Sequence, residues 1–412
     1  MLKVTKDSAR RFAVRKQGFQ NQSHNVGKRQ ILEVLRKLGC VQIDSINVVE
    51  RSHYLAFWSR LGCYRKEILD ELLCPDRKVF EYWAHAASVI RIEHYRFFVP
   101  AMMKRRKELR GKARLLLKEK ANLLDTVLAK VKRDGPACSK DFKHSEGTEK
   151  KERGSGWWNW KPAKIALELL YNAGILMVSR RENFQKYYDL TENVLPSNVD
   201  ASEPADEERQ RFFLERTLDA WGLAETKDIS QYFYPWSTKT NLGVKALSGL
   251  IKELQSEDVV ASVSVKGLGE SCLMLTKDVR ELEHSVDVQE EGRTVSLISP
   301  FDNLTWSKPR TRKLFEFSPG LEIYVPKEAR KFGYYALNIL YGSEIVGRLD
   351  PKMHRDKATL EVRALEFKER FKPTNAFREE LLITLRDFMR FHEAGTTRFS
   401  EACPRMLRTI RI

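Results

Sequence analysis

The chain has 412 residues, 42% of them hydrophobic and 10% aromatic, which predicts roughly two to four domains with packed cores and excludes wholesale disorder. Lys and Arg number 73 against 56 Asp and Glu, a formal charge of +17. That field favours an anionic partner, with nucleic acid ahead of an anionic membrane.

No apolar run reaches the roughly 18 residues needed to cross a bilayer, and the basic N-terminus lacks the apolar core of a secretory signal. The sequence therefore reads as cytoplasmic, with no membrane partner. Cys40, Cys63, Cys74, Cys138, Cys272 and Cys403 form no CxxC pair, and the histidines form no HxxxH or HExxH pattern. Structural zinc and a disulfide framework are not expected, and the cysteines read as reduced packing residues.

A basic helix is predicted over 8–18, with Arg10, Arg11, Arg15 and Lys16 exposed. A second, about 26–38, puts Ile31, Leu35 and Leu38 on one face and stops at Gly39. A short extended stretch at 40–44 follows, then helical pieces through Leu73 and a strand near 78–83. Between Met102 and Lys120 one helix carries nine basic and two acidic residues.

Two later stretches repeat one order. Pro162 opens a helix whose apolar face is Ile165, Ala166, Leu169 and Leu170; Gly174 ends it, and strands at 175–180 and 185–190 flank a turn near Glu182 and Asn183. A helix at 244–255 carries Leu247, Leu250, Ile251 and Leu254, followed by strands at 259–265 and 271–275 around a turn at 266–269. Helix followed by a two-stranded wing is the winged-helix pattern, and two copies in a basic chain point to DNA binding. The acidic, Pro-containing stretch 195–208 between them reads as a linker. Short alternating runs at 294–299, 321–325, 334–341, 344–349 and 358–367 predict a small sheet or barrel, closed by a helix at 375–394.

The stretch Val41-Gln42-Ile43-Asp44 carries the clearest chemistry. In an extended chain Gln42 and Asp44 share one face, about 7 Å apart at the backbone, while Val41 and Ile43 pack inward. The carboxylate can take a proton from water and the amide can orient that water. The spacing leaves open a plainer reading, in which Asp44 or Ser45 caps a following helix. Trp157, Trp158 and Trp160 suit base stacking or a hydrophobic wall. The predicted turn at 307–313 has four basic residues, Lys308, Arg310, Arg312 and Lys313, and suits backbone phosphates or a solvated loop.

The run LGCVQIDSINVVERSHYLAFWSRL at 38–61 is accompanied, in order along the chain, by GSGWWNWKPAK at 154–164, SPFDNLTWS at 299–307, PRTRK at 309–313 and GRLDPK at 347–352. This series resembles the YcaQ-like (AlkX) DNA glycosylases, relatives of the azinomycin-resistance glycosylase AlkZ. The resemblance implies an α+β fold of three tandem winged-helix units followed by a C-terminal β-barrel-like domain, and the expected divisions are 1–120, 121–195, 206–284 and 285–412. It implies Asp44 and Gln42 as catalytic residues. Their Gln-apolar-Asp form, rather than Gln-apolar-Gln, places the chain with the YcaQ-like branch and against narrow azinomycin specificity.

The implied activity is monofunctional excision of N7-alkylguanine from double-stranded DNA, together with unhooking of N7-linked interstrand crosslinks. Alkylation at N7 makes guanine a cationic leaving group, so Asp44 has only to stabilise the oxocarbenium-like sugar and accept the water's proton. No metal or other cofactor is expected, and the protein is read as a monomer in the bacterial cytoplasm. The expected DNA contacts are Arg51, His53, Trp158, Lys161, Lys164, Lys308, Arg310, Arg312 and Lys313. A winged-helix transcription regulator is the alternative; a metal-dependent nuclease is disfavoured because no carboxylate cluster stands out.

Overall fold

A computed structural model describes residues 2–19, 25–120, 122–142, 162–229, 231–233, 244–269, 271–287 and 293–403. The chain is α+β, with many helices and several small sheets. It divides into two units: Met1–Lys66 with Trp83–Val89 and Gln210–Ile412, and Glu67–Tyr82 with Ile90–Arg209.

In the first unit, Thr5 caps the helix Lys6–Lys16 by accepting the Ser8 N–H at 3.1 Å. Its apolar residues Phe12, Ala13 and Val14 enter a core with Val263, Met274, Leu282, Leu304 and Phe315. A four-stranded sheet lies in this unit, in the order Leu2–Val4, Val260–Val265, Cys272–Leu275, Leu223–Glu225. Only its first pair is parallel.

The basic residues of that helix correct the expectation of a solvated face. Arg10 is buried, Arg11 and Arg15 donate to the Ser285 carbonyl and hydroxyl, and Lys16 Nζ lies 2.9 Å from both Asp219 and Asp278. The reason is physical: the helix is packed on several sides, so its long side chains bury their stems and find carboxylates and carbonyls from distant segments.

The helix Lys28–Leu38 stops at Gly39, whose φ of 71° is costly for other residues. The helix Ser52–Leu61 buries Leu55, Phe57, Trp58 and Arg60. Arg60 and Asp302 both have fully buried side chains and meet in two bonds of 2.7 and 2.9 Å. The same guanidinium donates to the Gln17 carbonyl at 2.7 Å and the Ala56 carbonyl at 2.8 Å.

The C-terminal part of this unit is a five-stranded sheet in the order Val295–Ile298, Leu337–Tyr341, Glu344–His354, Thr359–Phe367, Thr396–Phe399. Its pairs are antiparallel except the last. Among the described residues no pairing joins the first strand to the last, so the expected barrel is an open sheet. The helix Asn375–Phe391 covers it with Phe377, Leu381, Leu385 and Phe388, and Thr384 donates to the Val295 carbonyl at 2.9 Å.

Two local expectations change here. Residues 321–325 alternate like a strand but form a loop, because the Glu322 carboxylate takes the backbone N–H groups of Lys331, Phe332 and Gly333. Residues 307–313 open a helix, Lys308–Phe315, whose N-cap Ser307 accepts the Arg310 N–H at 3.2 Å.

The second unit holds the helices Val99–Lys107, Leu109–Leu117, Leu123–Asp134 and Pro162–Asn172. The single basic helix expected at 102–120 is broken at Glu108. After Pro162–Asn172 comes the hairpin Leu176–Glu182 with Gln185–Leu190, turned by Asn183 and Phe184 at φ of 47° and 67°. Arg181 is held by the buried Glu81 carboxylate at 2.5 and 2.7 Å. The helix-then-hairpin order therefore occurs in both expected places, the other being Val244–Ser256 with Val260–Val265 and Cys272–Leu275. The expected linker at 195–208 ends inside a helix, Asp206–Trp221.

Truncating Asp302 would leave a buried guanidinium without its counter-charge. Asp302→Ala is expected to cost about 3–5 kcal/mol of stability in urea unfolding. A cost below about 1 kcal/mol would contradict the role given to this pair.

Candidate active site

The strand Cys40–Gln42 begins at the Gly39 stop. Val41 and Ile43 are buried while Gln42 and Asp44 are half-buried, so the two polar residues share the outward face, as the period of an extended chain requires. Three bonds fix this stretch. The Cys40 carbonyl accepts from Asn303 Nδ2 at 2.8 Å, the Gln42 carbonyl from Ser52 Oγ at 2.8 Å, and the Ile43 N–H donates to the Ala87 carbonyl at 2.7 Å.

Asp44 does not cap a helix, since the next one starts at Ser52. Its Oδ1 instead accepts the Ile46 N–H at 2.8 Å, turning the chain. Burial raises the Asp44 pKa above its ordinary value, and the N–H groups of Ile46 and Ser45 partly oppose that rise. A carboxylate with a raised pKa is a better proton acceptor once ionised.

The loop after Asp44 is clamped by the C-terminal sheet. The Met353 N–H donates to the Val48 carbonyl at 3.1 Å. Arg355 donates to the Asn47 carbonyl at 3.2 Å, to Asn47 Oδ1 at 2.7 Å, and to the Val49 carbonyl. Glu50 is buried, accepting the Arg51 N–H at 3.0 Å and pairing with Lys66 at 2.8 Å.

Tyr335, fully buried, shares a 2.9 Å bond with Ser299. Burial pushes its ionisation up, and the charges of Asp44 and Glu50 add to the effect. Burial likewise lifts Asp350, to about 6, against the opposing pull of Arg363. Sequence reasoning did not single out Asn303, Ser299, Tyr335 or Asp350 as neighbours of this stretch, although three of them lie in the SPFDNLTWS and GRLDPK runs.

Of the other expected site residues, several are placed differently. His53 is only 5% exposed, and its ring is tilted against that of Tyr54 with centroids 4.2 Å apart. Arg310 is 4% exposed; it donates to the Trp221 and Leu223 carbonyls at 2.9 and 3.3 Å and lies over the Trp221 ring. Both are packed inside the unit, where the spacing suggests exposed contacts. Lys313 is ion-paired with Glu225 at 2.7 Å. Lys308 and Arg312 are exposed on the same helix, Arg51 is half-buried, and Lys164 is exposed in the second unit. Trp158 and Lys161, with Trp157 and Trp160, lie outside the described residues.

Among the described residues, no three His, Cys, Asp or Glu side chains gather as a metal site. No described helix is long and apolar enough to cross a membrane. The stretch thus offers one carboxylate and one amide, both half-buried, in a chain of formal charge +17.

A family model for AlkZ-like DNA glycosylases matches residues 35–391. Among solved structures, the DNA glycosylase AlkZ of Streptomyces sahachiroi matches with a TM-score of 0.62 at 14% identity, covering 97% of this chain and 100% of that one. At such identity the structural likeness is one of fold.

The raised Asp44 pKa carries a stability consequence. A group that binds its proton more tightly when folded contributes stability that is fully present below the unfolded pKa and is lost as pH rises through the folded one. Carboxyl NMR should place the Asp44 midpoint above its ordinary 3.8. Asp44→Asn, which keeps an acceptor for Ile46, should leave Tm at neutral pH unchanged or higher. A midpoint at or below 3.8, or a clear drop in Tm, would contradict this placement.

Proposed function

The chain belongs to the AlkZ-like DNA glycosylase family, and we propose that within it the protein is a monofunctional enzyme that excises N7-alkylguanine from duplex DNA and unhooks N7-linked interstrand crosslinks. The observation that carries this reading is the alternation of buried Val41 and Ile43 with half-buried Gln42 and Asp44, in a stretch bonded to Asn303, Ser52 and Ala87.

N7 alkylation gives guanine a positive charge, so the base departs without a general acid. The remaining demand is electrostatic and nucleophilic: a cationic sugar and an incoming water. Asp44 stabilises the one and takes a proton from the other, while the Gln42 amide holds the water. The scheme calls for no metal and no lysine nucleophile. In this reading the two helix-then-hairpin segments belong to two of three winged-helix units that follow the duplex. Arg51, Lys164, Lys308 and Arg312, with Trp158 and Lys161, meet its backbone and bases. Phosphate contacts dominate because a repair enzyme must accept any sequence. The protein acts as a monomer in the bacterial cytoplasm, on nucleoid DNA.

The test is direct. Duplex DNA carrying N7-methylguanine, incubated with the protein in EDTA, should release the free base and leave an abasic site. Borohydride added during turnover should trap no protein–DNA adduct, because water and not an amine attacks. Intact lesions after incubation would overturn the activity. Chelator-dependent loss restored by Mg²⁺ or Zn²⁺, or efficient trapping, would overturn the mechanism.

A further inference from the structure

Tyr324 is 82% exposed, the most open of the large hydrophobic side chains described. Its loop is nevertheless built. The Glu322 carboxylate accepts the N–H groups of Lys331, Phe332 and Gly333 at 3.1, 2.8 and 3.1 Å. The Val325 N–H returns to the Glu322 carbonyl at 3.0 Å, and Arg330 Nε donates to the Val325 carbonyl at 2.8 Å. Both sides of Tyr324 are thus held while the ring points away from the protein. Lys327 and Lys331 are exposed in the same loop.

The root of this loop leads to Tyr335, which lies within electrostatic reach of Asp44. Gly333 has φ of 109°, and a Cβ there would stand 2.3 Å from the Asp350 carboxylate. The next buried residue, Tyr335, gives its backbone N–H to Asp350 and shares a hydroxyl–hydroxyl bond with Ser299. The strand that carries Asp350 also carries Met353, whose N–H holds Val48 in the loop after Asp44. One strand therefore meets both the end of the tyrosine's loop, at Gly333 and Tyr335, and the loop that follows Asp44.

We propose that Tyr324 inserts its ring into the base stack beside the lesion and fills the space vacated when the alkylated base leaves the helix, with Lys327 and Lys331 on the flanking phosphates. This rests on the reading of the protein as a glycosylase for duplex DNA. A base must leave the stack before water can reach its sugar, and an unstacked gap is costly unless something occupies it. An aromatic ring serves regardless of sequence, because every base offers a face for stacking.

The test uses the full-length protein with a duplex that carries a hydrolysis-resistant 2′-fluoro N7-methylguanosine and 2-aminopurine beside it. Wild-type binding should change the 2-aminopurine fluorescence, Tyr324→Phe should reproduce that change, and Tyr324→Ala should abolish it. On the hydrolysable N7-methylguanine duplex, Tyr324→Ala should slow single-turnover excision by about ten-fold or more, the scale of one lost stacking contact. The loss should shrink when the lesion sits in an unpaired bulge that is already unstacked. A Tyr324→Ala protein that matches wild type in fluorescence and rate would overturn the proposal, as would an equal loss on bulged and paired lesions. The fluorescence arm needs no excision, so a wild-type signal without base release would count against the lesion class and still support insertion.

Discussion

Arg60 and Asp302 face each other with both side chains fully buried, and a buried charge tolerates little misplacement of its partner. The guanidinium is bound on every side: to Asp302 by two bonds, to Gln17 by two, and to Ala56. It thereby joins the end of the first helix, the helix Ser52–Leu61 that follows the Gln42–Asp44 stretch, and the SPFDNLTWS run. Asn303, next to Asp302, extends the constraint by donating to the Cys40 carbonyl and to the Tyr232 hydroxyl, which in turn donates to the Leu38 carbonyl. Gln42 lies two residues beyond Cys40. The outward face of Gln42 and Asp44 is thus a consequence of a buried ion pair and its neighbour.

That anchoring suits a site with so few groups. A carboxylate and an amide can act on water only if their separation and direction hold while the substrate changes charge. The backbone is fixed upstream by Asn303 and downstream by Met353 and Arg355. Asp44 is left half-buried, enough for lost hydration to strengthen it as a base and open enough to meet solvent. In the proposed reaction the rest of the rate is left to the leaving group, whose charge would come from the N7 alkylation itself.

Local patterns were legible in the sequence where the answer depended on near neighbours. The period-two alternation of Val41 to Asp44, the Gly39 stop and both helix-then-hairpin segments follow from spacing alone. What could not be read was where charges would find distant partners. Arg10, Lys16 and Arg310 look like surface cations in a chain of this charge, yet their acceptors come from Leu314, Asp219 and Trp221. His53 is likewise hidden by packing that its spacing does not announce. The stretch 321–325 has the alternation of a strand; only the Glu322 carboxylate, bonding backbone groups about ten residues on, makes it a loop. The expected barrel stays open because its last strand pairs in parallel beside the fourth and not with the first.

The central claim is that Asp44 is the group that activates water, and its charge is what separates that role from a structural one. Asp44→Asn keeps size and the turn to Ile46 but removes proton acceptance. Single-turnover release of N7-methylguanine, measured beside a melting curve, should fall by about 10² or more in a protein that stays folded and still binds duplex DNA. Gln42→Ala, which loses only an orienting group, should slow release less. Near-normal excision by a well-folded Asp44→Asn protein would contradict the account and remove Asp44 from the mechanism.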